Sequence, residues 1–229
     1  MWPEHVIGPT GEQLGRLMAE EDRVARALAA SLQRARAELA RSGSGDAELA
    51  DRIAATLLAD QQMLVGAAQQ AAWDQAALWM EANPDQMASL GPARPPAFSW
   101  PVPGATITQG FGPTDLAIEP ARAGYPHFHT GLDLAAGLGS PVLAADGGMV
   151  AAVDTGITGY GTYVVIAHAG GLVTLYGHLL QPLVGVGERV VRGQPVGLLG
   201  SSGSSTGPHC HFEVRLADRP VDPLPLIQG

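Results

Sequence analysis

The chain contains no lysine, so all thirteen of its basic residues are arginines. Against 22 acidic residues they leave a formal net charge of −9. Nucleic-acid-binding proteins usually have a basic charge balance, and this sequence gives no support to that function. The missing lysine also excludes a biotinyl or lipoyl carrier, because such carriers need a lysine side chain to acylate.

Cysteine and long apolar runs are also scarce. The single cysteine, Cys210, rules out a disulfide within the chain, so the fold is not expected to depend on an oxidising compartment. No apolar stretch approaches the roughly 20 residues that a membrane-spanning helix requires. The opening residues, MWPEHVIGPTGEQ, lack the basic and apolar regions of a secretory signal. The sequence therefore predicts neither a membrane span nor an export signal of its own.

The first 82 residues have the apolar spacing of long helices. Leucine, valine and alanine recur at steps of three, four or seven, which predicts two apolar stripes. Ser42-Gly-Ser-Gly45 separates the stripes, Asp46 can cap the second helix, and Pro84 ends it. We therefore predict a long-helix hairpin over 1–82, with an irregular leader over 1–9. Its alanine-rich stripe buries little area, so we expect the pair to dock on the second domain, a partner, or copies of itself, and a solvated spacer is the alternative.

The second half has the pattern of a β domain. Residues 83–103 contain six prolines and predict a stiff linker. From residue 104 to 229, short apolar segments alternate with glycine-rich turns, which is typical of antiparallel sheets. The stretches PVLAADGGMVAAV and GERVVRGQPVGLLGSSG resemble the hairpins of barrel-sandwich hybrids. The predicted fold class is α+β, a helical hairpin followed by an all-β antiparallel domain of barrel-sandwich hybrid type.

Three short segments carry the residues of a metal site. In TGPHCHFEVR, His209 and His211 are two positions apart in a predicted strand, so both side chains point to one face. The segment HTGLD supplies His129 and Asp133, and the segment YGHL supplies His178. Together they offer two nitrogen ligands, one oxygen ligand and two further imidazoles. A catalytic zinc site needs three protein ligands and an open position for water.

In this order and at these spacings, the three segments resemble the lysostaphin/LytM-type peptidoglycan endopeptidases. The resemblance covers about residues 100–223. It implies that His129, Asp133 and His211 hold one zinc ion per chain. It also implies that His178 and His209 are catalytic histidines that do not bind the metal. Our preferred division has His209 as the base and His178 as the transition-state stabiliser, although the sequence leaves the opposite division open.

Three more residues are candidates for binding substrate along a groove. They are Tyr125, His127 and Tyr160, and for each of them packing or a structural role is the alternative. His127 lies two positions before His129 in a segment expected to be a loop, so strand spacing gives no guidance to its direction.

The resemblance predicts a zinc-dependent endopeptidase that cleaves stem or cross-bridge peptides of peptidoglycan and acts at the cell wall. Because no export signal is seen, we interpret the chain as a phage lysin or tail-associated enzyme, virion-borne or released by a holin. One alternative is a catalytically silent protein that binds peptidoglycan or activates another hydrolase. Another is a virion structural component, in which the helical hairpin drives self-association or binds a virion partner.

Overall fold

A computed structural model of the chain describes residues 33, 34, 37, 47–92 and 97–228. The leader and most of the first predicted helix lie outside the described residues, so the hairpin stays a prediction. The second predicted helix is present as α1, Ala47–Ala82. It ends before Asn83-Pro84, as predicted. A short helix α2, Pro84–Ala88, follows where only a linker was expected, and its proline occupies the first turn.

Twelve strands follow the helices in the residues that the structure describes. In chain order they are β1 Thr106–Gln109, β2 Gly112–Pro113, β3 Phe128–His129, β4 Leu132–Ala135, β5 Pro141–Leu143, β6 Gly148–Thr155, β7 Thr162–Ala167, β8 Leu172–Pro182, β9 Arg189–Val190, β10 Pro195–Leu199, β11 His209–Leu216 and β12 Arg219–Val221. Two short 3-10 helices, Ala169–Gly171 and Leu224–Leu226, complete the described elements.

Ten of these strands form one large antiparallel sheet. Its main order is β1-β4-β11-β8-β7-β6-β9, with β10 beside β8 and β5, and β12 beside β11. β2 and β3 make a separate pair. The described part of the chain is thus a mostly antiparallel β-sheet with one long helix, which agrees with the predicted class. The finer barrel-sandwich arrangement and the predicted domain limits stay predictions.

Both faces of the sheet are covered. Alternate residues of β7 enter two different apolar clusters, because successive side chains of a strand point to opposite faces. Val164 and Ile166 join a core that also contains Phe98 and Val102, two residues of the predicted linker. On the other face, Val165 packs in a second cluster with apolar side chains of helix α1. Helix α1 therefore lies directly against the sheet.

Helix α1 is amphipathic rather than apolar all round. Ala72, Trp73 and Ala76 are buried against the sheet, whereas Leu78 is exposed. Among the described helices, none combines the length and the apolar composition needed to cross a bilayer.

Candidate metal centre

Three side chains, one each from strands β3, β4 and β11, converge on one point. Asp133 on β4 and His211 on β11 are direct partners in the antiparallel register, which brings their side chains together. His129 ends β3, four residues before Asp133. His129 Nε2 lies 3.0 Å from Asp133 Oδ1 and 3.0 Å from His211 Nδ1. The remaining pair, His211 Nδ1 and Asp133 Oδ1, is 3.1 Å apart. These three buried residues could hold a metal ion.

Gly131 allows the HTGLD turn to approach β11 this closely. A Cβ atom at this position would lie 2.5 Å from the carbonyl oxygen of Phe212 and 2.9 Å from His211 Nε2. Both distances are too short for a side chain, so only glycine fits without displacing the strand or the imidazole. The glycine of the motif is therefore a packing requirement of the site.

Hydrogen bonds on the outer nitrogens fix which atom of each histidine faces the centre. His129 Nδ1 donates to the carbonyl oxygen of Gly110 at 2.8 Å. His211 Nε2 lies 3.3 Å from a carboxylate oxygen of Glu213, which can only accept. The inner atoms, Nε2 of His129 and Nδ1 of His211, either carry a proton shared with Asp133 or bind a metal. Such outer partners are a regular feature of metal-binding histidines.

Burial and hydrogen bonding shift the pKa values of Asp133 and His211 in opposite directions. Burial raises the pKa of Asp133, but hydrogen bonds from His129 and His211 outweigh it and hold the pKa well below its ordinary value. For His211, burial lowers the pKa, but hydrogen bonds to Asp133 and Glu213 raise it to about 10. Asp133 is therefore an anion at neutral pH, and a metal ion must compete with a proton for His211.

The two remaining motif histidines lie beside the three donors. His178 is on β8 with a φ of 59°, a left-handed conformation that is unusual for a residue other than glycine. Its Nδ1 donates to the carbonyl oxygen of Ser202 at 2.8 Å. His209 Nδ1 likewise donates to Gly207 at 2.8 Å, and its Nε2 lies 3.5 Å from Asp133 Oδ1. The two ring centres are 4.7 Å apart, and both histidines line the same cavity.

The environment of His178 disfavours its charged form. Burial lowers its pKa, and the neighbouring charges of His211 and His209 lower it further, to about 3. His178 is therefore neutral near pH 7.

A small cavity adjoins four of the five motif residues, all except His129. Its volume is about 30 Å³, and its wall includes Val65 and Gln69 of helix α1, Leu116, Glu119, and the histidines His178, His209 and His211. Burial raises the pKa of Glu119 above its ordinary value. Helix α1 thus forms one side of the space next to the candidate metal centre.

The three substrate-binding candidates occupy different environments. Tyr125 is about half exposed and packs near Phe128. His127 Nδ1 lies 3.1 Å from Gln62 of helix α1 and 3.1 Å from the carbonyl oxygen of Glu119. Tyr160 is buried beneath helix α1 at 2% exposure. Their predicted role in substrate binding stays a prediction, and Tyr160 is covered by the helix.

Sequence reasoning missed several residues around the centre. Glu213 is fully buried and contacts His211, although strand alternation already places it on the face of His209 and His211. Val65 and Gln69 could not be found from the motifs, because they belong to a helix far away in the sequence.

Comparisons with known proteins concern the same part of the chain. Residues 127–223 match the model of Peptidase family M23. The chain is 43% identical over 97 residues to a lipoprotein NlpD/LppB homolog of Pseudomonas aeruginosa, covering 42% of this chain and 32% of that protein. It is also 43% identical over 97 residues to the peptidoglycan DD-endopeptidase ShyA of Vibrio cholerae, with coverages of 42% and 22%. The crystallised catalytic domain of the prophage-encoded M23 protein EnpA from Enterococcus faecalis is 33% identical, over 59% of this chain and 95% of that one, with a TM-score of 0.47.

Residues 127–223 belong to peptidase family M23. The M23 segment contains all five motif residues, whereas helix α1 precedes it. The chain spans about a third or less of the length of the two curated relatives.

Replacing Gly131 with alanine is expected to destabilise the M23 segment. The new methyl group would overlap Phe212 and His211, and such overpacking typically costs about 1–3 kcal/mol. Chemical denaturation of Gly131→Ala measures the loss. Gly185→Ala is the matched control, because nothing lies within 4 Å of its added Cβ. Equal stability of the two variants would contradict the close approach.

Proposed function

We propose that the chain is a zinc-dependent endopeptidase that hydrolyses peptide bonds of peptidoglycan. The observation that carries the proposal is the convergence of His129, Asp133 and His211, with His178 and His209 beside them, inside an M23 segment. All five motif positions are occupied by residues able to perform the chemistry. This favours an active enzyme over a silent wall-binding protein.

The donor set fits zinc. Atoms bound to tetrahedral zinc at about 2.0–2.1 Å lie about 3.3 Å from one another, and the three donor atoms are 3.0 to 3.1 Å apart. Two imidazoles and one carboxylate leave one position of such a site for water or substrate. The adjoining cavity of about 30 Å³ has room for on the order of one or two water molecules. When bound, zinc supplies a Lewis acid that polarises a carbonyl group and makes water nucleophilic near neutral pH.

His209 is suited to act as the general base. Because Nδ1 donates to Gly207, the lone pair of the neutral ring is on Nε2, beside Asp133. At Nε2 it would take a proton from the attacking water and pass it to the leaving amine. His178 is neutral, so it would stabilise a developing oxyanion as the tautomer that carries the ring proton on Nε2, which requires its Nδ1 bond to Ser202 to be given up.

Peptidoglycan is the proposed substrate because ShyA, a relative over the M23 segment, is a peptidoglycan DD-endopeptidase. The site of action would then be the cell wall. A phage origin, a virion partner and self-association through the helices also stay proposals, and none of them follows from the M23 segment.

We further propose that helix α1 limits access to the site. A cavity of about 30 Å³ cannot admit a peptide, and Val65 and Gln69 form part of its wall. Gln62 also donates to the carbonyl oxygen of Ala117 at 2.8 Å, which ties the helix to the loop on the other side. Substrate would therefore enter only after the helix moves away from that loop.

Two histidine variants separate metal binding from proton transfer. Wild-type protein should clear a peptidoglycan suspension, lose this activity with a chelator and regain it with zinc. His211→Ala should lose both zinc and clearing. His209→Ala should still bind one zinc ion but clear at least about 100-fold more slowly, as expected on loss of a general base.

The measurements are the turbidity of the peptidoglycan suspension and the zinc content of the same protein preparations. Clearing that survives chelation, or wild-type clearing by His211→Ala, would contradict the proposal. Zinc-loaded protein that clears none of several wall types would favour the silent wall-binding role.

A disulfide should lock helix α1 over the cavity. An added Cβ on Gly66 would lie 3.7 Å from the Cβ of Pro120, close to the usual Cβ separation of about 3.8 Å in disulfides. Oxidised Gly66→Cys/Pro120→Cys should lose most of its clearing activity, and a mild reductant should restore it.

Each single cysteine variant, and the wild type with the same reductant, serves as a control. Undiminished clearing by fully cross-linked protein would show that substrate enters without movement of the helix.

A further inference from the structure

Glu213 is held by four hydrogen bonds in the interior of the protein. Its Oε2 accepts from Thr130 at 2.6 Å and from Tyr160 at 2.5 Å, and it lies 3.3 Å from His211 Nε2. Its Oε1 accepts from Arg215 at 2.7 Å. Glu213 is completely buried. A carboxylate held in this way fixes both the ring orientation and the protonated nitrogen of the histidine that it contacts.

Trp73 of helix α1 supports this carboxylate from two sides. Its indole N–H donates to the hydroxyl of Tyr160 at 3.1 Å, and that hydroxyl donates to Glu213. The guanidinium of Arg215 lies 4.0 Å from the centre of the Trp73 ring, within the range of a cation–π contact. Trp73 thus contacts one binding partner of each carboxylate oxygen of Glu213, Tyr160 at Oε2 and Arg215 at Oε1.

The donors and acceptors in this series of hydrogen bonds, from Trp73 through Tyr160 to Glu213, are consistent at every step. The indole can only donate, the tyrosine hydroxyl accepts from it and donates onward, and the carboxylate accepts from tyrosine and imidazole. Burial raises the pKa of Tyr160 well above its ordinary value, and the adjacent charge of Glu213 raises it further. The hydroxyl therefore keeps the proton that it donates to Glu213.

We infer that Tyr160 and Trp73 are positioning residues for the metal ligand His211, acting through Glu213. The inference rests on the proposed function, because it requires His211 to bind zinc through Nδ1. Docking of helix α1 and the affinity for zinc are then linked. Trp73 precedes the segment matched by the family, so the link couples the helix to the metal centre of the M23 segment.

The test is the zinc affinity of conservative variants, measured by competition with a chelating dye. Tyr160→Phe removes the central hydroxyl and keeps the ring. It should weaken zinc binding by about tenfold or more, as is typical when an outer partner of a metal ligand is lost. Trp73→Phe should weaken it in the same direction but less. The double variant should bind no more weakly than Tyr160→Phe alone, because the indole N–H acts through the hydroxyl.

Tyr163→Phe is the matched control. Tyr163 lies near Tyr160, and its hydroxyl donates to Gln75 of the same helix at 2.9 Å. This variant also loses a bond to helix α1 but leaves the path to His211 intact, so its zinc affinity should stay within about twofold of wild type.

Two results would overturn this inference and leave the proposed function standing. One is wild-type zinc affinity in Tyr160→Phe, and the other is an equal loss in Tyr163→Phe, which would indicate helix docking in general. Absence of zinc binding by the wild type would overturn the proposed function as well.

Discussion

The antiparallel register between β4 and β11 is the constraint on which the rest of the site depends. It sets Asp133 directly opposite His211, and the turn through Gly131 then returns His129 to the same point. A shift by one residue would move one of these side chains to the opposite face of the sheet. On the other side of β11, Gly177 is the register partner of His211, which brings His178 close by. The M23 site is thus a property of three neighbouring strands.

Helix α1 gives this β-sheet site a second layer. Near the middle of the helix, Val65 and Gln69 narrow the space beside the histidines. One turn after Gln69, Trp73 donates to Tyr160, which belongs to the hydrogen-bonded group that holds His211. Both effects come from one docked surface, so access of substrate and retention of metal would respond to the same movement. The apolar cluster under the helix contains Ala72, Trp73 and Ala76.

The resemblance of the three motif segments to a known family predicted which residues would meet, whereas strand alternation, a local property, predicted that His209 and His211 share a face. The end of helix α1 at Ala82 was also predictable from a local feature, Asn83-Pro84. The position of the helix was not, because its alanine-rich stripe fits several partners equally well. Phe98 was missed as a core residue because prolines surround it. Glu213 could have been found, since it follows His209 and His211 at the same two-residue spacing.

The most direct test of the account is X-ray absorption spectroscopy of the zinc-loaded protein at the zinc edge. With the assigned ligands, zinc should have only nitrogen and oxygen neighbours, at about 2.0–2.2 Å, with the scattering pattern of two imidazoles. Sulfur should be absent, since Cys210 lies on the opposite face of β11 in the apolar core. A sulfur neighbour at about 2.3 Å, or a shell of three or four imidazoles, would contradict the assignment of His129, Asp133 and His211 as the ligands.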